Sequence, residues 1–202
     1  MARPRSDIAP RVVLAARDRF LRDGVDGASL RAIAQDARTS IGMIYYYFPT
    51  KDDLFLTVVE QVYEKVLADM AAALEPDVPV RDRLNRLFER IGRVSDEEVL
   101  IARLVAREVL VSSARRDRIL ERFLRGHIPL IARAIGDGLL DGSLDRSRHP
   151  LVLMMAAIGI GAIPQVVRRA IGDRLPFPDA PAGAVLAAEL TDVLFNGIGA
   201  KS

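Results

Sequence analysis

Apolar residues recur at steps of three and four along almost the whole chain, and no long stretch alternates apolar with polar. That periodicity predicts an all-α protein without a sheet. Ile8, Val12, Ala16 and Phe20 step by four and mark a first helix that Gly24 ends. Ser29 suits the N-cap of a second helix over residues 30–37, whose Ile33, Ala34 and Ala37 share a face. A short third helix fits residues 40–48, and Pro49 ends it. Thr50 and Asp53 stand at capping-box spacing before a long helix over 51–74, with Leu54, Val58, Val62 and Val66 in register.

The same pattern continues beyond Pro76 and Pro79, which mark a hinge. Helices are expected over 80–94, over 97–111 behind a Ser95/Glu98 capping box, and over 115–140 with a bend near Pro129. Two more are expected over 150–171 and 182–196, separated by a proline-rich linker over 172–181. That makes about nine helices, with a three-helix head over residues 1–50 and a second helical domain over 51–202.

Composition narrows the chemistry. The 202 residues include no cysteine and two histidines, His127 and His149. Thiolate metal sites, Fe–S clusters and cysteine nucleophiles are excluded, and neither a metal nor a cofactor is expected. The first 22 residues are studded with charge, so no secretory signal opens the chain and the cytosol is the expected compartment. Residues 151–163 are uncharged, but 13 residues fall short of a membrane span of about 17–25. A buried helix is expected there, and no membrane partner.

Charge is unevenly spread. Residues 1–51 hold nine basic and five acidic side chains, a local charge of +4, whereas the remainder carries −2. A basic front suggests a polyanionic partner for that end.

The helices over 30–37 and 40–48, joined by a tight turn, form a helix-turn-helix. A helix that enters a DNA major groove about 12 Å wide must be slim at its leading edge. Thr39, Ser40, Ile41, Gly42 and Met43 are small or flexible, while Ile44, Tyr47 and Phe48 behind them are large and face inward. The phenols of Tyr45 and Tyr46 suit phosphate oxygens. Ser29 and Lys51 open helices whose free N–H groups favour anions.

At these residues the chain resembles a known family. Val12–Phe20, Gly24, Ser29-Leu-Arg-Ala-Ile-Ala34, Ser40-Ile-Gly-Met-Ile-Tyr-Tyr-Tyr-Phe48 and Lys51 together look like the N-terminal domain of tetracycline-repressor-type (TetR/AcrR) regulators. The resemblance runs from Asp7 to about residue 64, with the helix-turn-helix at about 28–48. It implies that Ser29 and Arg31 touch phosphates and that Thr39, Ser40, Ile41 and Gly42 face the groove. Tyr45 and Tyr46 would contact phosphates or groove walls, and Lys51 would clamp a phosphate. Three positions depart from the family pattern. Arg38 stands where glycine is usual and adds a possible DNA contact. Ile41 replaces a polar residue and suits a thymine methyl. Arg19 replaces an apolar one and is expected to snorkel.

The second domain supplies two further expectations. Ala156, Gly159 and Ile160, with Leu186, Leu190, Val193 and Leu194, offer small and apolar surface for a homodimeric four-helix bundle. Intrachain core is the alternative for this surface, but paired DNA half-sites require a twofold axis. Phe88, Ile91, Leu104 and Ile131, with Phe123, His127, Met154 and Met155, are candidates to line an apolar effector pocket, although each also suits plain core. Arg103 interrupts its apolar helix, either as exposed surface or to orient a ligand.

The combined expectation is a non-enzymatic, ligand-responsive transcription regulator. It would bind a double-stranded DNA operator as a homodimer and release it when a small apolar effector binds. Activation, and a helical binding protein without DNA activity, are the alternatives. An enzyme is disfavoured because no convergent acid, base or nucleophile set is present.

Overall fold

The structure, a computed structural model, describes residues 7–171, 174, 176 and 179–197. The described residues are helical and include no strand. The elements are α1 (Ile8–Gly27), α2 (Leu30–Asp36), α3 (Ile41–Tyr47), α4 (Lys51–Ala73), α5 (Val80–Gly92) and α6 (Asp96–Val111). They continue with α7 (Ser113–Arg125), α8 (His127–Asp141), α9 (Pro150–Ala157), a π-helical turn (Ile158–Ala162), α10 (Ile163–Ile171) and α11 (Gly183–Asn196). Most of the linker expected over 172–181 lies outside the described residues.

Packing groups the chain into two units. The first joins residues up to Val66 with Ser95–Arg122; the second joins Leu67–Val94 with the chain from Phe123 onward. The head therefore shares its unit with most of α4, with α6 and with most of α7.

In the first unit, Val12, Ala16 and Phe20 of α1 are fully buried, as their spacing predicts. Phe20 meets Phe55 of α4 edge to face, with ring centroids 6.2 Å apart. Ile33 and Ala34 of α2, Ile44 of α3, and Leu54 and Val58 of α4 complete this core. The three predicted caps form: Ser29 Oγ accepts from Ala32 N, Thr50 and Asp53 exchange bonds, and Ser95 and Glu98 close a full capping box. Gly24 breaks α1 with φ +74°, but one further turn carries the helix to Gly27. A side chain at Gly24 would collide with the guanidinium of Arg107. α7 is laid on α4 by ion pairs, Arg118 to Asp53 at 2.8 Å and Arg122 to Glu60 at 2.9 Å.

In the second unit, Leu84, Leu87 and Phe88 of α5 are buried. The ring of Phe88 fills the space where a side chain on Gly161 would lie, so the π-turn brings backbone directly onto an aromatic. Two buried polar side chains are paired: Gln165 Nε2 donates to Phe88 O at 3.3 Å, and Thr191 Oγ1 to Ala187 O at 2.8 Å.

Two expectations require correction. The long bent helix over 115–140 is two helices, separated at Gly126 (φ −109°, ψ −109°). Pro129 instead sits in the first turn of α8, where its missing N–H has no intrahelical acceptor to lose. The helix over 150–171 is not buried within the chain. Pro150–Arg169 forms 20 helical residues, long and apolar enough to cross a membrane; its most apolar 18-residue window has mean hydropathy 2.0 and is only 17% buried.

Candidate nucleic-acid interface

α3, the candidate recognition helix, is positioned by the end of α2. Arg38 N donates to Gln35 O at 3.0 Å and Thr39 N to Ala34 O at 2.9 Å, with Arg38 at φ +51°. These two bonds form a Schellman motif with Arg38 in its left-handed position. The motif explains why glycine suits this site, and why an arginine there holds its side chain outside the helix pair. Ser40 then caps α3, its Oγ accepting from Met43 N at 3.3 Å.

α3 is sharply two-sided. Ile44 is 1% exposed and Phe48, just past the helix, 7%. On the other side Ser40 and Gly42 are exposed, Thr39 is half-buried and Ile41 is open to solvent. A Cβ added at Gly42 would meet nothing nearer than Ser40 Oγ, 3.8 Å away. The fold thus leaves free space at Gly42. Tyr45 and Tyr46 are exposed, and the ring of Tyr46 rests edge-on against Tyr47 at 5.1 Å. Ser29 and Arg31 are exposed at the front of α2.

Lys51 is half-buried, and its Nζ donates to Asp26 O at 2.9 Å and Ala28 O at 3.1 Å. It ties the start of α4 to the link between α1 and α2, and an ammonium carries one donor more than these two bonds use. Asp53 is held below the usual carboxylate range by bonds from the Thr50 hydroxyl and Arg118. Arg19 forms a two-bond pair with Asp36, at 2.6 and 3.0 Å.

The structure also opens a cleft of about 560 Å³ beside the turn, lined by Arg11, Leu14, Asp18, Arg19, Arg22 and Arg38 among others. Sequence reading missed it because its walls come from α1 and from the turn after α2, which spacing alone does not bring together.

The other candidate residues are distributed as follows. Arg103 and Leu104 lie in the first unit, Arg103 exposed and Leu104 buried. The remaining pocket candidates lie in the second unit. Phe88 and Ile131 are core, Ile91 and Met154 are half-buried, and the rings of Phe123 and His127 stand 4.8 Å apart. Met155 is 63% exposed and belongs with the outer face of α9. That face carries Leu151, Val152, Met155, Ile163 and Val166 in the open, with Ala156 and Ile160 half-buried and clear space over Gly159. Leu186, Leu190, Val193 and Leu194 of α11 are half-buried.

Comparison with known proteins agrees with this geometry. Residues 12–58 match the family described as bacterial regulatory proteins, tetR family. The HTH-type transcriptional repressor KstR of Mycolicibacterium smegmatis is 25% identical over 118 residues, 58% of this chain and 57% of that repressor's length. The transcriptional regulator FadR of Bacillus subtilis, solved with stearoyl-CoA, shares the fold at TM-score 0.75 and 15% identity, over 94% of this chain and 99% of FadR. A TetR-like regulator from Rhodococcus sp. RHA1 does so at TM-score 0.66 and 22% identity, over 97% and 98%. A helix-turn-helix with a slim exposed edge thus coincides with the segment that is similar to the tetR family, on an all-helical chain that shares its fold with solved regulators.

Proposed function

We propose that the protein is a dimeric transcription regulator that represses from a palindromic operator and is released by a small apolar effector. One observation carries the DNA reading: the exposed, slim edge of α3 rides on a fully buried back, beside exposed Tyr45 and Tyr46. Ser40, Ile41 and Gly42, with Thr39, read the groove. Ser29, Arg31, Arg38, Tyr45, Tyr46 and Lys51 hold the sugar–phosphate backbone.

The dimer reading is supported by the open apolar face of α9 and α10, which a second copy would cover together with α11. The fold match over 94% of the chain favours this covering over a bilayer, and a cytoplasmic regulator without enzymatic activity follows from the same reading. The effector reading is supported by the apolar residues of the second unit and by the stearoyl-CoA complex of FadR. α4 runs from the head's unit into the second unit, so it is the covalent route by which effector occupancy reaches the recognition helix. The effector acts only through different affinities for the two states, with a typical coupling of about 1–3 kcal/mol.

A gel shift with the DNA upstream of the protein's own gene, repeated over a salt series, tests the reading. Binding that resists unrelated competitor DNA and weakens steeply with salt is expected; equal binding to any duplex would contradict it. Addition of a long-chain acyl-CoA tests the effector class by release of the bound fragment.

A further inference from the structure

Asp26, Gly27 and Ala28 lead from the end of α1 into α2, and Ser29 and Arg31 follow directly. Lys51 grips this link through its backbone. A second grip comes from the start of α7, far away in sequence. Arg115 Nη1 and Nη2 donate to the two carboxylate oxygens of Asp26 at 2.9 and 2.8 Å, and Nη1 also donates to Asp52 at 3.1 Å. Arg115 Nε lies 2.8 Å from Glu108 Oε2, a close ion pair without the alignment of a hydrogen bond. Arg115 is 5% exposed and Glu108 1%, whereas the Asp26 side chain is 68% exposed. The arginine is thus anchored at its buried end by α6 and offers its planar fork outward to the link and to the residue after Lys51.

We propose that Arg115 is a positioning residue for DNA binding: by holding Asp26 and Asp52 together, it sets Ser29 and Arg31 at a fixed separation from Lys51. It touches no DNA itself. The inference rests on the DNA-binding reading above, and it makes α6 and α7 part of the head's binding competence.

The sign of one substitution separates this role from simple electrostatics. Asp26→Ala removes a negative charge near the phosphates and removes an acid from the last turn of α1. Both effects favour tighter DNA binding and a firmer helix. Positioning predicts the opposite, because fewer molecules then present the link in its binding geometry.

The experiment measures fluorescence-anisotropy titrations of full-length protein on its upstream DNA at several salt concentrations, and amide hydrogen exchange of residues 26–31 without DNA. Asp26→Ala is expected to weaken binding roughly tenfold, as when the competent fraction falls tenfold, with the salt slope unchanged. Exchange at Ala28–Arg31 should accelerate. Arg115→Met, if its thermal melt shows a folded chain, should do the same, and the double variant should lose no more than either single. Arg122→Met, which breaks a pair on the same helix away from the link, should leave both readouts unchanged. Unchanged or tighter binding by Asp26→Ala, or unaltered exchange at Ala28–Arg31, overturns the inference while the DNA reading stands. Wild-type protein that binds no DNA overturns both.

Discussion

Thr39 donates its backbone N–H to the carbonyl of Ala34 across 2.9 Å, and this bond turns the chain from α2 into α3. It requires Arg38 to adopt φ +51°, a conformation that costs a residue with a side chain about 1–2 kcal/mol. Arg38→Gly relieves that cost and adds unfolded-state entropy of about 0.5–1 kcal/mol, so a net gain of up to about 1.5 kcal/mol is expected in urea unfolding. The same variant should bind all duplexes more weakly, with a salt slope flatter by about 1. An unchanged slope would show that Arg38 meets no phosphate.

Gly42 separates fold from function in the other direction. Its surroundings leave room for a Cβ, and leucine is a good helix former whereas glycine costs a helix about 0.8–1 kcal/mol relative to alanine. Gly42→Leu should therefore melt at the same temperature or higher and still lose specific operator binding by more than about tenfold. Retained specific binding would mean that this edge does not face the groove.

Acid should loosen the head. Arg115 holds the Asp26 carboxyl below its usual range, and Thr50 with Arg118 does the same for Asp53. A carboxyl with a depressed folded pKa contributes stability that is present above its unfolded pKa of about 4 and is lost as pH falls through the folded value. Urea midpoints should be level from neutral pH to about 5 and then fall below about 4. Asp53→Asn should make that fall shallower; an identical acid limb in the variant would remove Asp53 from the account.

Caps and amphipathic faces were legible because they are local. Ser29 before Ala32, Thr50 before Asp53 and Ser95 before Glu98 each complete their bonds three residues along. The sequence predicts one helix over 115–140 bent near Pro129, whereas the structure breaks it at Gly126, because both residues weaken a helix. The choice falls to tertiary packing, which uses Gly126 and leaves Pro129 harmless in a first turn. The Asp26–Arg115 contact spans 89 residues and has no periodic signature. The run over 150–171 was read correctly as apolar, but composition does not say whether an apolar helix is covered by its own chain or by another.

That last point can be measured. Met155→Glu combined with Val166→Glu places two carboxylates on the open face of α9 and α10, 63% and 57% exposed in the single chain. The monomer should fold as before, whereas burial of unpaired charge, costing about 3–5 kcal/mol, should weaken dimerisation more than about 100-fold. Analytical ultracentrifugation reads the outcome directly. A variant that remains dimeric would move the interface elsewhere.

Hydroxyl-radical footprinting of the protein on its upstream DNA tests the central claim most directly. The account predicts protected patches on one face of the duplex, related by a twofold axis and spaced by about one helical turn or a multiple of it, with protection abolished in Gly42→Leu. Uniform protection along the fragment, or a pattern that survives Gly42→Leu unchanged, would contradict it.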